Sequence, residues 1–490
     1  MAGQDRWMQP LGLSPARVGS IVLILAIVAF AWAQSDLAAR NGLWADEYFS
    51  LWASDPAEPL GELLAARILP DTNPPLFFSA LALMRPFVED PRAAFLTLNI
   101  IALIMVAVFV GLTGRRAAMP ATALGAIALF LISGPVLCFA PEGRAYLMGL
   151  CAAFAISWSA ALALERPVDR GALIAFAVLG ALAALTHVFA ALFAGAFGAA
   201  LLAEGGLRRR LDLVRAGLVL GGSAALVFGA WLPMVLASMG NIAWIEFTLG
   251  AIREALWYVR QLTFGHTLIA LAVAGFLALS VRRAAMRPYL RVFAIAMALF
   301  FILPILASFI TPLVVGRYWL IGEPAILVLA VFAVRAQLLA PREPLTLAVA
   351  AGGVVALLAA SLLGFFNAQG FTQTKPIWRG AAIVAPLLAA CEAGSVRVSG
   401  APLYATASGA AEATFEYAEA PGLPVRAVGE GDCPVVGWAE HVRRGDDYLA
   451  TASDEALLDI LKLEGEGARI VRHDSGFVVL RPEAPDIANP

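Results

Sequence analysis

The stretch Pro74-Pro75-Leu76-Phe77-Phe78-Ser79-Ala80-Leu81-Ala82-Leu83-Met84-Arg85-Pro86-Phe87-Val88 decides how this chain is arranged. It is apolar, but it opens with two prolines and carries Arg85 and Pro86 near its end. Whether it crosses a membrane sets the side on which every later connection lies. Longer apolar runs recur at 20–34, 94–112, 119–137, 145–164, 171–186, 188–204, 215–235, 266–281, 290–310, 318–335 and 345–366. Most are long enough for a hydrocarbon layer of ~30 Å. The composition agrees, at 61% hydrophobic and 14% charged residues, against about a quarter charged in soluble domains.

The arginines resolve the sidedness, because short cytoplasmic loops carry the excess of Lys and Arg. If 75–88 does not cross, Arg115 and Arg116, Arg166 and Arg170, Arg208 to Arg210 with Arg215, Arg282 and Arg283 with Arg287 and Arg291, and Arg335 with Arg342 share one side with Arg6 and Arg17. If it crosses, all but the N-terminal pair move to the other side. The expectation is therefore a polytopic α-helical membrane protein of about 11 spans, in which 75–88 is a surface or re-entrant helix. The first span is read as retained, since no small-residue cleavage site precedes the acidic loop. The C-terminus is then extracytoplasmic.

That topology collects the unusual polar residues on the outer face. Asp46 and Glu47 follow the first span, and Asp71 and Asn73 lie further along the same loop, 36–93. Glu142, Arg144 and Tyr146 fall in the second outer loop, His187 in the third, and Arg317 and Tyr318 in the fifth. Adjacent carboxylates beside an apolar surface raise each other's pKa and are costly to keep, which points to chemistry there. A solvated loop pair is the bland alternative. Asp71-Thr72-Asn73-Pro74-Pro75 has a plain role as an extended lead into a helix, beside the reading that it presents Asp71 or Asn73 at the interface. Arg144 and Arg317 suit a phosphate or diphosphate, which guanidinium forks bind bidentately, although each could anchor a span by snorkelling. His187 fits a hydrogen-bonded core histidine as readily as a ligand. Residues 246–260, with Trp257, read as an interfacial amphipathic helix. No basic, aromatic surface for nucleic acid is present.

After about Phe371 the composition changes, and 371–490 reads as a small extracytoplasmic α/β domain following a membrane domain over 1–370. Strands are expected at 395–399, 424–428 and 477–480, with helices at 377–390, 409–418 and 454–463. No glycine-rich phosphate loop occurs in it. Cys391 and Cys433 form a disulfide if this domain faces an oxidising compartment, and are otherwise two buried thiols. Cys138 and Cys151 read as core residues.

The order of motifs resembles the GT-C glycosyltransferases, in particular the bacterial branch related to protein O-mannosyltransferases and aminoarabinose transferases. It is carried by Asp46-Glu47 after the first span, Asp71-x-Asn73-Pro74-Pro75-Leu76, Glu142-x-Arg144-x-Tyr146, Arg317-Tyr318, and Lys375-x-x-Trp378-Arg379 leading into the tail. The resemblance implies an inverting enzyme of the bacterial inner membrane. It would transfer a sugar from a polyprenyl-phosphate carrier, drawn from the membrane lipid, to an unidentified envelope acceptor. Asp46 would be the general base, Glu47 would support it or bind a metal, and Arg144 and Arg317 would hold the carrier phosphate. Asn73 stands where relatives carry His or Lys, which leaves metal use open; an oxygen-lined site would take Mg²⁺, Mn²⁺ or Ca²⁺. A polymerase or ligase with a diphosphate-linked donor is a close alternative. A transporter would place ionisable groups at midplane in repeated halves, and an assembly subunit would leave Asp46 replaceable.

Overall fold

The computed structural model describes residues 15–40, 45–71, 73–88, 90–237, 247–309, 313–339, 344–372, 396–398, 425–427, 433–438, 469–473 and 476–480. The strands and a few helical positions, Asp46 among them, are described by their backbone alone. In chain order the helices are α1 (Pro15–Arg40), α2 (Ala45–Trp52), α3 (Leu60–Glu62, continued by a π-helical turn to Ile68), α4 (Leu76–Met84), α5 (Pro91–Arg116), α6 (Pro120–Leu131), α7 (Gly134–Phe139), α8 (Tyr146–Glu165) and α9 (Arg170–Thr186). They continue as α10 (Val188–Arg208), α11 (Leu211–Ala237), α12 (Leu249–Phe264), α13 (Thr267–Ser280), α14 (Arg287–Ala307), α15 (Gly316–Trp319), α16 (Glu323–Leu338) and α17 (Pro344–Thr372).

This is a multi-pass helical membrane protein. Among the described residues, eight helical segments are long and apolar enough to cross a bilayer, and the bent pair α12–α13 makes a ninth. The shorter α6 and α9 occupy the two remaining predicted positions. α4 has only nine residues, about 14 Å of helix, too little for a ~30 Å layer. Its end leaves Leu83 and Phe87 exposed.

Two of the predicted spans depart from straight rods. Residues 119–137 divide into α6 and α7, because extended Ser133 precedes Gly134-Pro135 and the proline restarts a helix rather than continuing one. Ahead of the span expected at 266–281 lies the amphipathic α12, and the two helices meet at a 75° bend. Gly265 makes the bend, with φ of 71°. A Cβ there would collide with Leu363 of α17, while Asn367 Nδ2 donates to Gln261 O and Gly265 O, each at 3.0 Å. Helix starts follow local chemistry: Asp90 accepts from Ala93 N (3.1 Å), Asp169 from Ala172 N (2.8 Å) and Thr248 Oγ1 from Ala251 N (3.1 Å).

α8, α10 and α16 form the buried centre, while α1, α11 and α14 turn most of their surface outward. Their outward apolar residues, such as Ile24, Leu226 and Leu306, face lipid as the bilayer requires. α10 and α11 approach closely because glycines line the contact; a Cβ on Gly217 would strike Gly198 O.

The arginine-rich connections share one end of the bundle. Arg166 donates to Arg116 O (3.0 Å), and Arg210 donates to Ala163 O and Arg166 O (both 3.0 Å) and pairs with Asp212 (2.6 Å). Arg335 pairs with Glu165 at 2.9 Å. Glu204, 1% exposed, is gripped by both Nε (2.8 Å) and Nη2 (2.7 Å) of Arg291. Another buried carboxylate, Glu323, opens α16 with the same exposure and no basic partner among the described residues; it faces the Ser133 hydroxyl at the break between α6 and α7. From the sequence Glu204 reads as an ordinary flank of the basic side, whereas the structure buries it; Glu323 is not marked in the sequence at all.

Beyond α17, five strands form one sheet: β1 (Val396–Val398), β2 (Val425–Ala427), β3 (Cys433–Trp438), β4 (Arg469–His473) and β5 (Gly476–Leu480). Their order is β2-β1-β3-β5-β4. β1 runs parallel to β2 and β3, and β5 antiparallel to β3 and β4. β1, β2 and β5 coincide with the three expected strands; β3 and β4 were not anticipated. The helices expected at 377–390, 409–418 and 454–463, and the Cys391–Cys433 bridge, lie outside the described residues.

Arg291→Ala leaves Glu204 buried without its bidentate partner. Breaking a buried pair costs roughly 3–5 kcal/mol; with Arg291 half outside and Arg208 also near Glu204 (3.7 Å), about 2–3 kcal/mol is expected. Thermal unfolding in lipid nanodiscs should show a clear fall in midpoint, and Glu204→Leu combined with Arg291→Met should restore most of it.

Candidate active site

α2 carries the Asp46-Glu47 pair and is held at both ends by residues distant in sequence. Gly143 N donates to Glu47 Oε1 at 2.9 Å, and Ser50 Oγ donates to Gly143 O at 2.6 Å. Glu47 and Ser50 are three positions apart, so both side chains leave one helix face and grip the N–H and the carbonyl of one residue, Gly143. At the far end, buried Arg85 donates from Nη1 to Leu51 O (2.8 Å) and Ser54 O (3.3 Å), meeting carbonyls that a helix end leaves without intrahelical donors. Glu47 is thus a buried strut between α2 and the turn before α8. Asp46 has its backbone in α2; its side chain lies outside the described residues.

The gripped glycine sits in the turn that presents Arg144. A side chain at Gly143 would run into the Phe95 ring, so only glycine allows the turn to sit this close to α5. The Arg144 guanidinium lies 6.0 Å from the centroid of Phe49 and 5.8 Å from that of Phe78, a cation–π arrangement that joins α2, α4 and the turn. Arg317, at the start of α15, lies 5.6 Å from the rings of both Tyr146 and Tyr318.

His187 shares the Tyr146 and Tyr318 rings with Arg317 and feels the charge of both arginines. It links α9 and α10 and caps α10, its Nδ1 accepting from Phe189 N at 3.1 Å. Its ring packs on Tyr318 (5.1 Å), Tyr146 (5.7 Å) and Phe189 (6.1 Å). Burial, then the positive charges of Arg144 and Arg317, push the imidazole down to about 3. It is a neutral hydrogen-bond acceptor throughout the physiological range.

The structure therefore brings together Glu47, Glu142, Arg144, Tyr146, His187, Arg317 and Tyr318 from four separate stretches of chain. Glu142 is 3% exposed, within the same turn. Asp71 and Asn73 are half-buried just before α4, where Asn73 Nδ2 donates to Asp71 Oδ2 at 3.0 Å; Phe78 of α4 connects that loop to Arg144. Among the described residues, no group of three or more His, Cys, Asp and Glu comes together that could hold a metal ion. Lys375 to Arg379 and Trp244 lie outside the described residues. Sequence reasoning missed Ser50, Phe49, Phe78, Gly143 and Asn99 as site builders, and read Arg85 only as a mark against a span. A lone Asn within the apolar run 94–112 was the one available signal for Asn99.

These helices make a polytopic membrane protein, and its fold is shared with a solved structure. ArnT from Cupriavidus metallidurans, in its apo crystal structure, is similar over 95% of this chain and 98% of its own, with a TM-score of 0.54 and 15% identity. The likeness is one of fold. No protein-family model and no curated protein sequence matches the chain.

The depressed His187 fixes the sign of an acid effect. Unfolded, the imidazole binds its proton below about 6.5; folded, it binds one only near 3. Stability is therefore full above about pH 6.5 and declines as pH falls toward 3. His187→Asn, which keeps an acceptor for Phe189 N, should show a shallower loss between those values in nanodisc unfolding experiments.

Proposed function

We propose that this protein is an inverting glycosyltransferase that moves a sugar from a polyprenyl-phosphate carrier to an acceptor of the cell envelope. The observation that carries the reading is the convergence of Arg144 and Arg317 on buried His187, beside the helix that bears Asp46. Two guanidiniums in one aromatic-walled, largely dehydrated site suit a lipid phosphate. The fold shared with ArnT supports the reading.

In this mechanism Asp46 takes the proton of the acceptor hydroxyl as its oxygen attacks the anomeric carbon. The new C–O bond forms opposite the bond to the carrier phosphate, which breaks and leaves its electron pair on the phosphate oxygen. Arg144 and Arg317 stabilise that growing charge, and so acidic a leaving group needs no general acid. Neutral His187 adds no competing positive charge and keeps the aromatic wall in place. Glu47 supports the base by holding α2 against the Arg144 turn. Asp71, hydrogen-bonded by Asn73, and Glu142 with Tyr146 and Tyr318 complete the substrate-facing wall. No step is routed through a metal.

With the arginine-rich connections cytoplasmic, the site faces the periplasm of the inner membrane, and the carrier arrives already flipped. The sheet within 371–490 then stands on the same side as a recognition or capping domain. A diphosphate-linked donor would meet the same two arginines, so donor choice belongs to the test.

The test is release of polyprenyl phosphate by purified protein in native-like lipid, supplied with polyprenyl-phosphate and polyprenyl-diphosphate sugars and membrane-derived acceptors. Asp46→Asn should lower release by about 10²–10⁴ with donor binding retained. Arg144→Gln and Arg317→Gln should each weaken donor binding as well as turnover. Equal release by wild type and Asp46→Asn would remove Asp46 from the mechanism, and no release with any donor would overturn the transferase reading.

A further inference from the structure

Helix α5 is an apolar rod with one amide in its buried face. Asn99 is fully buried, and its Nδ2 donates to Glu142 O at 2.8 Å, Ala140 O at 3.0 Å and Phe139 O at 3.4 Å. These carbonyls belong to the end of α7 and to the turn that leads into Arg144. A helix end leaves its last carbonyls without donors, and at this depth water does not replace them cheaply. One amide group with two hydrogens thus serves three acceptors; Phe139 O also accepts from Glu142 N at 3.2 Å, so an apolar residue at position 99 would take this donor chiefly from Ala140 O and Glu142 O.

The same turn is gripped from its opposite side. Gly143 N and O are engaged by Glu47 and Ser50 of α2, and Phe95, one helical turn before Asn99, closes on Gly143. Residues 139–143 are therefore clamped between α5 and α2, and Arg144 is the next residue out. We propose that Asn99 is a positioning residue for Arg144: it fixes this turn, so that the phosphate-binding guanidinium and the helix carrying Asp46 are held as one unit. The proposal rests on the lipid-phosphate reading of Arg144 given above. In it, Asn99 touches no substrate and acts through the backbone of the turn.

The experiment is a double-mutant cycle on the full chain in nanodiscs, with polyprenyl phosphate as the binding probe. Wild type, Asn99→Ser, Arg144→Lys and the double variant are compared, with amide hydrogen exchange over 139–146 measured in each. Serine retains one donor where asparagine has two, so binding should weaken by up to about 10-fold, as the loss of one hydrogen bond of ordinary strength would account for. In the Arg144→Lys background the same change should cost under about 2-fold, since coupled residues are not additive. Exchange over 139–146 should quicken while the rest of the bundle is unchanged.

Equal effects of Asn99→Ser in both backgrounds, with Arg144→Lys itself impaired, would overturn the positioning role and leave an ordinary core amide. Equal binding by wild type and Arg144→Lys would instead sink the lipid-phosphate reading, and this proposal with it. If Asn99→Ser does not accumulate, Ser50→Ala loosens the same turn from the α2 side and is read in the same cycle.

Discussion

The backbone of a single residue, Gly143, holds the candidate site together. Its N–H is taken by Glu47 and its carbonyl by Ser50, and its missing side chain leaves room for Phe95. Through it, the acidic helix α2 and the Arg144 turn cannot move independently. Each neutral hydrogen bond contributes only about 1 kcal/mol net, but one to a carboxylate contributes more, and a buried Glu47 robbed of its donor would be the costlier loss. A short helix of eight residues, marginal alone, thereby acquires a fixed place.

The two ends of the bundle solve the problem of charge in opposite ways. At the basic end, arginines meet carboxylates and helix-end carbonyls: Arg210 closes on Ala163, Leu164 and Arg166, and Arg291 closes on Glu204. These contacts join neighbouring helices and satisfy groups that lipid could not. At the other end, Arg144 and Arg317 lie against the faces of Phe49, Phe78, Tyr146 and Tyr318. Aromatic faces attract a cation without neutralising it; burial first, and then the charges of these two arginines, hold the His187 imidazole down.

Breaks in the helices place these groups. The interruption at Ser133 produces the short α7, whose end delivers the 139–143 turn. The bend at Gly265 brings α12 against α15, where Gly316 packs on Ala255 and Tyr258, next to Arg317. Straight rods in these two positions would carry neither the Arg144 turn nor the start of α15 to the same place.

The spans and the arginine-rich connections between them were legible in the sequence, and most of the residues that the fold brings together in the candidate site were named there. Transfer of a helix into hydrocarbon is a local sum over some twenty residues, and the arginine bias of the connections is a local count. The short α4, capped by prolines and ending in Arg85, was readable for the same reason, as were strands β1, β2 and β5 from their alternating apolar residues. What only the tertiary structure decided are the partners. Glu47 reaches Gly143 across 96 positions, Arg85 reaches Leu51 across 34, and Asn99 reaches Glu142 across 43. Those pairings depend on which helix faces meet and at what depth, and no property of either residue alone encodes that. The sequence determined that charges gather at one membrane face; packing between distant helices determined that Glu47 became a strut, His187 a neutral neighbour of two arginines, and Asn99 the support of a turn.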